Sequence, residues 1–526
     1  MKNIANLMLK GSTWVFISRL VDGIVALLFS ILLARMLGVD HYGFIGVTMG
    51  VVGLIGIFTH LGIPHATTKY VSESLAKKDK AQLKGFIYAS LLLELIVGAL
   101  LALVLFFSSD LLAEEVFHKP ELGLFLRIAS PIIFLGAISN TFMSTLVGYH
   151  NMRGFALINI SNFLVRLVLA VLLVLLGFGV AGALLGFVFG WLVGSVLSVF
   201  YYLFIIRPHL KKIRPADVSS QSKKMLGFGI PMALSIGSIM IYEWVDKLVL
   251  AAYSPDIKYV SLYSIAFGMV ALPLVISRSI NTSFFPIVSA LDAKKEKKKL
   301  RETYQSVVRL TMLILNPILV GMIVLAPQII ELLYGEQYNE AVYPFIILAL
   351  WGFFRPAHTF GSSVLAGTGT PKTNAKVDGF TAGLNLCLNI LLIPLFISMN
   401  RGYGPIGAAL ATTSSYIIGM SMMVHFANKR INVKLPLLHI SKTLGAAVLS
   451  GFVMFVLMKG MISLSFGSGI LTLLFALVLA FLIGFFYYVL LLSAFRAFKE
   501  EDIAILRNLE IPMKQRIISI FLRLKR

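Results

Sequence analysis

The chain has 526 residues, 58% of them hydrophobic and 13% charged, with a mean hydropathy of +0.89 and a formal net charge of +22. That balance excludes a soluble globular domain and a disordered chain, and describes an integral membrane protein. A single cysteine, Cys387, excludes an internal disulfide framework and a multi-cysteine zinc site; inside an apolar helix it reads as a small buried hydrophobe.

In chain order, about fourteen apolar stretches of roughly 20 residues or more are each long enough to cross a bilayer as a helix. They run over 11–37, 43–67, 85–108, 122–147, 155–177, 180–206, 226–252, 259–286, 303–326, 341–365, 374–398, 405–427, 441–463 and 469–493. Arg19 and Asp22 interrupt the first, and no small-residue cleavage pattern follows it, so it reads as a span and not as a removable signal peptide.

Basic residues fall in every second gap. The second gap holds Lys69, Lys77, Lys78, Lys80 and Lys84; the sixth holds Arg207, Lys211, Lys212, Arg214, Lys223 and Lys224. The eighth holds Lys294, Lys295, Lys297, Lys298, Lys299 and Arg301, and the twelfth Lys429, Arg430 and Lys434. The ninth gap has Glu331, Glu336 and Glu340 and no Lys or Arg. The positive-inside rule then places both termini in the cytoplasm of a multi-pass plasma-membrane protein. The positive charge meets anionic lipid headgroups on one face, and no nucleic acid is needed to account for it. Ile511 to Arg526 alternates apolar and basic residues and predicts an amphipathic helix on the inner leaflet.

The chain repeats itself. Ser144-Thr-Leu-Val-Gly148 is echoed by Ser363-Val-Leu-Ala-Gly367, and Gly179-Val-Ala-Gly182 by Gly404-Pro-Ile-Gly407. Val21-Asp22 precedes Tyr42 much as Val245-Asp246 precedes Tyr263. The offset is six spans, an even number, so both copies insert the same way up. The predicted organisation is an N-lobe over 1–206, a cytoplasmic linker over 207–224, a C-lobe over 225–427, two additional spans over 441–493 and a basic tail over 494–526. Duplicated six-helix lobes point to a transporter whose site lies near mid-membrane.

Charges inside spans mark candidate sites, because each carries an insertion penalty of about 2.5–3.5 kcal/mol near the bilayer centre. The deep ones are Arg19, Asp22, Glu94 and Arg166 in the first lobe, and Glu243, Asp246, Lys247 and Arg355 in the second. Arg19 and Asp22 share a helix face and either neutralise each other or serve a site; Glu243 and Lys247 stand in the same relation. Arg35, Arg127, Arg278 and Arg309 lie near enough to span ends to snorkel. Arg166 and Arg355 have no acidic residue three or four positions away, and the planar guanidinium fork suits a phosphate. The candidate anion-binding set is therefore Arg19, Arg166, Arg355 and Lys247, and the candidate ion-coupling set Asp22, Glu94, Glu243 and Asp246. Pro131, Pro231, Pro273, Pro286, Pro317, Pro356 and Pro394 are candidate kinks. The spans' asparagines, Asn162, Asn281, Asn385 and Asn389 among them, read as glue between helices.

No catalytic residues are visible. Gly367-Thr-Gly-Thr-Pro371-Lys372-Thr373 has proline where a phosphate loop needs its last glycine, and reads as a tight turn. No metal-ligand spacing and no cofactor site is evident, so the energy sources left are an ion gradient, with H+ or Na+ as candidate coupling ion, the membrane potential or the substrate's own gradient.

The opening third carries a family resemblance. Lys10-Gly11-Ser12, Leu33-Ala34-Arg35-Met36-Leu37-Gly38, Tyr42-Gly43, Leu61-Gly62-Ile63-Pro64 and Lys69-Tyr70-Val71-Ser72-Glu73 resemble the polysaccharide-biosynthesis flippases of the multidrug/oligosaccharidyl-lipid/polysaccharide exporter superfamily. The resemblance implies an all-α membrane fold like the multidrug exporters and lipid II flippases. It also implies a polyprenyl-pyrophosphate-linked oligosaccharide as substrate, membrane lipids and glycan-assembly enzymes as partners, and cavity arginines, for which Arg19 and Arg166 are analogues. A proton- or sodium-coupled exporter of small organic cations is the alternative.

Overall fold

In a computed structural model, residues 2–463 and 469–495 are described, and they are almost wholly helical with no strand among them. The predicted amphipathic helix at 511–526 lies outside the described residues. The helices are α1 (Lys2–Leu37), α2 (Val39–His60), α3 (Ile63–Ala76), α4 (Lys80–Leu111), α5 (Glu121–Ala129), α6 (Pro131–Gly148), α7 (Met152–Leu173), α8 (Gly179–Tyr201) and α9 (Val218–Tyr253). They continue with α10 (Lys258–Ala271), α11 (Val275–Ala293), α12 (Lys297–Val324), α13 (Ala326–Tyr334), α14 (Val342–Gly367), α15 (Pro371–Met399), α16 (Gly404–Ile431), α17 (Leu437–Ser463) and α18 (Ile470–Ala494).

Each predicted span falls on one helix or on a broken pair. Ten stretches of the described residues are long and apolar enough to cross a membrane, eleven if the bent pair α10–α11 is one span. The stretch Met152–Leu210 contains both α7 and α8. Helix starts follow local chemistry. Asp79, Asn151 and Asp217 each accept a hydrogen bond from a backbone N–H of the first turn, satisfying donors the helix leaves open.

The breaks differ from the sequence expectation in instructive ways. The second span ends at His60, short of the predicted 67. Gly62 has φ +69 and packs against the Gly229 backbone, so a Cβ there is excluded both by conformation and by space. The amphipathic α3 begins directly after it, with Pro64 in its first turn. The eighth span bends by 45° between Ala271 and Val275, around Pro273, and the fourth is interrupted before Pro131. Pro286, Pro317, Pro356 and Pro394 stay inside continuous helices.

Two compact units are present: one spans 1–264 with 397–404, the other 265–396 with 405–526. In the first unit, α7 packs on α1 and α8, and α2 packs on α9. The α2–α9 contact uses small residues: a Cβ on Gly50 would meet Leu248 Cδ2 at 3.0 Å, and one on Gly53 would meet the Trp244 ring at 2.6 Å. Lys119 Nζ donates to the carbonyls of Phe117, Ala251 and Ser254, satisfying the C-terminal end of α9. Burial holds that ammonium below the usual lysine range, against the attraction of Asp256. In the second unit, α12 packs on α14 and α17, and α17 on α18. Tyr488 of α18 donates to the Leu313 carbonyl and Asn316 to Thr443. A buried cluster of Phe284, Leu300, Tyr304, Phe360, Val364 and Ile431 fills one end of that unit. Large apolar side chains such as Phe107, Leu471 and Phe486 stand on the surface, as lipid-facing helices require.

Two expectations are corrected. Cys387 is exposed on α15, not buried, because the buried face of that helix carries Thr381, Asn385 and Asn389, and Cys387, two positions from either asparagine, falls on the other side. Arg309 does not snorkel: it is 2% exposed and its guanidinium donates to Ser306.

Candidate functional site

In the first unit the structure brings Arg166, Asp22 and Arg19 together. Arg166 lies mid-way along α7. A Cβ on Gly190 of α8 would lie 2.9 Å from both Arg166 Cβ and the Asn162 carbonyl oxygen, so the bare glycine lets α8 press against the root of this arginine. Three rings surround the guanidinium: Phe187 at 5.0 Å, Phe163 at 5.2 Å and Phe29 at 5.6 Å from its carbon. Phe29 and Phe187 meet edge to face at 4.9 Å. Aromatic faces stabilise a cation without neutralising it. Asp22, one helix away on α1, is within electrostatic reach of Arg166 and of Arg19, which is exposed. Arg166 Nε is buried and donates to no protein acceptor. The result is a positively charged, ring-walled group with donor capacity left for an anion.

The α9 charges form a second group in the same unit. Lys247 lies over the Trp244 ring at 4.7 Å and in the field of Glu243 and Asp246. Asp246 is 1% exposed and accepts a hydrogen bond from Tyr263. The sequence echo therefore has different outcomes in its two copies, because Tyr42 donates to Ser30 at 3.1 Å instead of Asp22. Asp22 is left to face arginines. Glu94 is fully buried on α4, which packs on α6 and α9.

In the second unit Arg355, mid-way along α14, sits over the rings of Tyr416 at 5.0 Å and Trp351 at 5.4 Å. It also donates to the Tyr416 hydroxyl. Helix α16 is locked to α14 by the bond from Thr413 to the Ile347 carbonyl at 3.0 Å, which places Tyr416 beside Arg355. One turn further along α14, His358 Nε2 lies 3.4 Å from Asp378 Oδ1 on α15, and the Tyr416 ring is 5.3 Å from the imidazole. His358, Tyr416 and the Phe29, Phe163 and Phe187 rings were not singled out by the sequence. Their only signals are the spacings Phe163 to Arg166, Trp351 to Arg355 and Arg355 to His358, each three or four residues along a helix.

The remaining candidates behave as structural elements. Arg127 pairs with Asp110. Asn385 donates to Thr412, Asn389 to the Asn385 carbonyl, and Ser363 to Asn281, so these asparagines do join helices or turns. The 367–373 segment is a turn between α14 and α15, with Gly369 at φ +81 and Arg430 donating to the Thr368 carbonyl at 2.5 Å. Among the described residues no cluster of His, Cys, Asp and Glu has metal-binding geometry.

The comparisons with known proteins agree with this architecture. The profile of the family described as "Polysaccharide biosynthesis protein" matches residues 32–343. The chain is 24% identical over 439 residues to the probable low-salt glycan biosynthesis flippase Agl15 of Haloferax volcanii, covering 82% of this chain and 87% of that protein. It is 22% identical over 470 residues to the stage V sporulation protein B of Bacillus subtilis, covering 85% and 88%. The fold is similar to the lipid II flippase MurJ in an inward closed conformation, with TM-score 0.71, 19% identity, and 93% of this chain and 98% of that one covered. It is also similar to an inward-facing multidrug transporter of the MATE family, with TM-score 0.65, 19% identity, and 78% and 94% covered. Of these, Agl15 and MurJ are described as flippases and the MATE protein as a transporter. The chain is thus a multi-pass membrane protein, helical throughout its described residues, with the MATE/lipid II flippase-like fold, and it belongs to the family described as "Polysaccharide biosynthesis protein".

Proposed function

We propose that the chain turns a polyprenyl-pyrophosphate-linked oligosaccharide from the cytoplasmic to the outer leaflet by alternating access, with both termini in the cytoplasm. The observation that carries this reading is Arg166: a charge kept in a membrane span, walled by three phenylalanines, with a buried Nε that donates to no protein acceptor. A charge in that position is retained for a partner. A doubly bonding phosphate oxygen pair matches the guanidinium fork, whereas a small organic cation would be repelled by it. Arg19 assists at the exposed side of the same helix face, and Asp22 moderates the field. Arg355 is the anion-recognising group of the second unit. Lys247, lying between Glu243 and Asp246, is already balanced within the protein and is assigned to packing.

Reconstitution into liposomes with a fluorescent polyprenyl-pyrophosphate oligosaccharide tests this directly. Protein-dependent appearance of the probe in the opposite leaflet is expected, slowed about 10- to 100-fold in Arg166→Ala, the range implied by losing charge-assisted hydrogen bonds of about 1.5–3 kcal/mol. Efflux of small cations that depends on Asp22, with no glycolipid movement, would assign the chain to the cation-exporting class instead.

A further inference from the structure

His358 and Asp378 have no part in the anion chemistry above, yet they are two ionisable groups buried together inside a membrane protein. The pair shows 11% and 12% of its side-chain surfaces, with Nε2 and Oδ1 3.4 Å apart on two different helices. Burying such groups is unfavourable unless their charges are matched or put to use. Their position supplies the use. His358 follows Arg355 by three residues, so both project from one face of α14. Tyr416 bridges them, with its hydroxyl accepting from Arg355 and its ring 5.3 Å from the imidazole.

We infer that His358 and Asp378 form a proton-binding site whose charge state sets the anion affinity of Arg355. This rests on the functional reading of Arg355 given above. With His358 neutral, the Asp378 carboxylate is an uncompensated negative charge near Arg355, and it weakens the field an anion meets. With His358 protonated, imidazolium and carboxylate balance, and Arg355 presents its full charge. Proton uptake and headgroup binding therefore reinforce each other, and the reinforcement is reciprocal. Histidine is suited to this because its ordinary titration lies inside the physiological range.

Other groups around His358 bear on its titration. From α15 it faces Asp378 and from α16 Tyr416; on its own helix the nearest charge is Arg355. From α12, Tyr304 donates to the carbonyl of the adjacent Ala357. The cations Arg278 and Arg309 lie on α11 and α12, which pack on α14 as does α13 with its Glu331, and Arg309 donates to Ser306.

The test is a titration of the full-length protein in lipid nanodiscs, labelled with 13C-histidine and followed by NMR. Of the nine histidines, the signal lost in both His358→Gln and His358→Asn, with the rest of the spectrum retained, is assigned to His358. Its shift is followed from about pH 5 to pH 8, the window in which imidazoles ordinarily change charge. Asp378→Asn should move its midpoint down by about one pH unit, and Arg355→Gln should move it up by a similar amount. A His358 signal that does not titrate in that range, or a midpoint indifferent to Arg355→Gln, overturns the inference. The two readings separate cleanly. If these shifts hold while liposomes show no glycolipid movement, the flippase reading falls and the proton site stands. If glycolipid moves but the His358 midpoint ignores Arg355, the proton site falls and the flippase reading stands.

Discussion

The two ring-walled arginines solve the same problem with different neighbours. Arg166 is surrounded by phenylalanine, which offers a quadrupole and no hydrogen bond, and its counter-charge is the carboxylate of Asp22 on another helix. Arg355 is held by Trp351 and by Tyr416, whose hydroxyl takes one of its donors, and one turn along its helix stands His358, paired with the acid Asp378. Arg166 thus keeps more donor capacity and a fixed acid, whereas Arg355 keeps less capacity and an acid with a titratable partner. The comparison teaches how, on the proposed reading, the first group would hold a phosphate and the second adjust how firmly one is held.

Substitutions break or sharpen that contrast. The largest effect is expected from Arg166→Ala, with glycolipid movement in liposomes reduced about 10- to 100-fold. Arg166→Lys should recover little of it, because an ammonium lacks the bidentate fork and stacks less well on the rings. Arg355→Ala should reduce movement less, by about tenfold, because Tyr416 already occupies part of its donor set; a loss equal to that of Arg166→Ala would erase the distinction drawn here.

Removing the moderating groups should act in the opposite direction. Asp22→Asn leaves Arg166 without its acid and should tighten binding of a pyrophosphate-bearing lipid several-fold, read as a lower dissociation constant. Weaker binding in Asp22→Asn would show instead that the carboxylate positions the arginine. Tyr416→Phe removes one hydroxyl and should change affinity by no more than about fivefold, the equivalent of one hydrogen bond of about 1 kcal/mol. The smallest expected effect on transport is from Lys119→Met, at the C-terminal end of α9. It leaves the Ala251 and Ser254 carbonyls without their donor and should lower thermal stability by about 1–3 kcal/mol, with glycolipid movement per folded molecule nearly unchanged.

Much of this was legible in the sequence, and the reason is the bilayer. Long apolar runs such as 469–493 fall on Ile470–Ala494 within a residue or so at each end, since a membrane helix is fixed by length and apolarity. Arg166, Asp22 and Arg355 stood out because charge is rare at that depth. What the pattern could not carry was contact between helices distant in sequence. The pairings of Arg355 with Tyr416 and His358 with Asp378 join α14 to α16 and α15, and no periodicity encodes them. Helix faces were equally silent where the buried side of a span is its polar side, as with Asn385 and Asn389, hence the misplaced Cys387. The break at Leu61-Gly62 was hidden within an apolar run, because it depends on the close approach of Gly229.

The most direct measurement is the affinity of the full-length protein for a polyprenyl pyrophosphate against the uncharged polyprenol of the same length, in wild type, Arg166→Ala and Arg355→Ala. The account predicts a preference for the pyrophosphate of at least about tenfold in wild type, most of it lost in Arg166→Ala and part of it in Arg355→Ala. Equal affinity for the two lipids in wild type, or a preference that survives both substitutions, would contradict it.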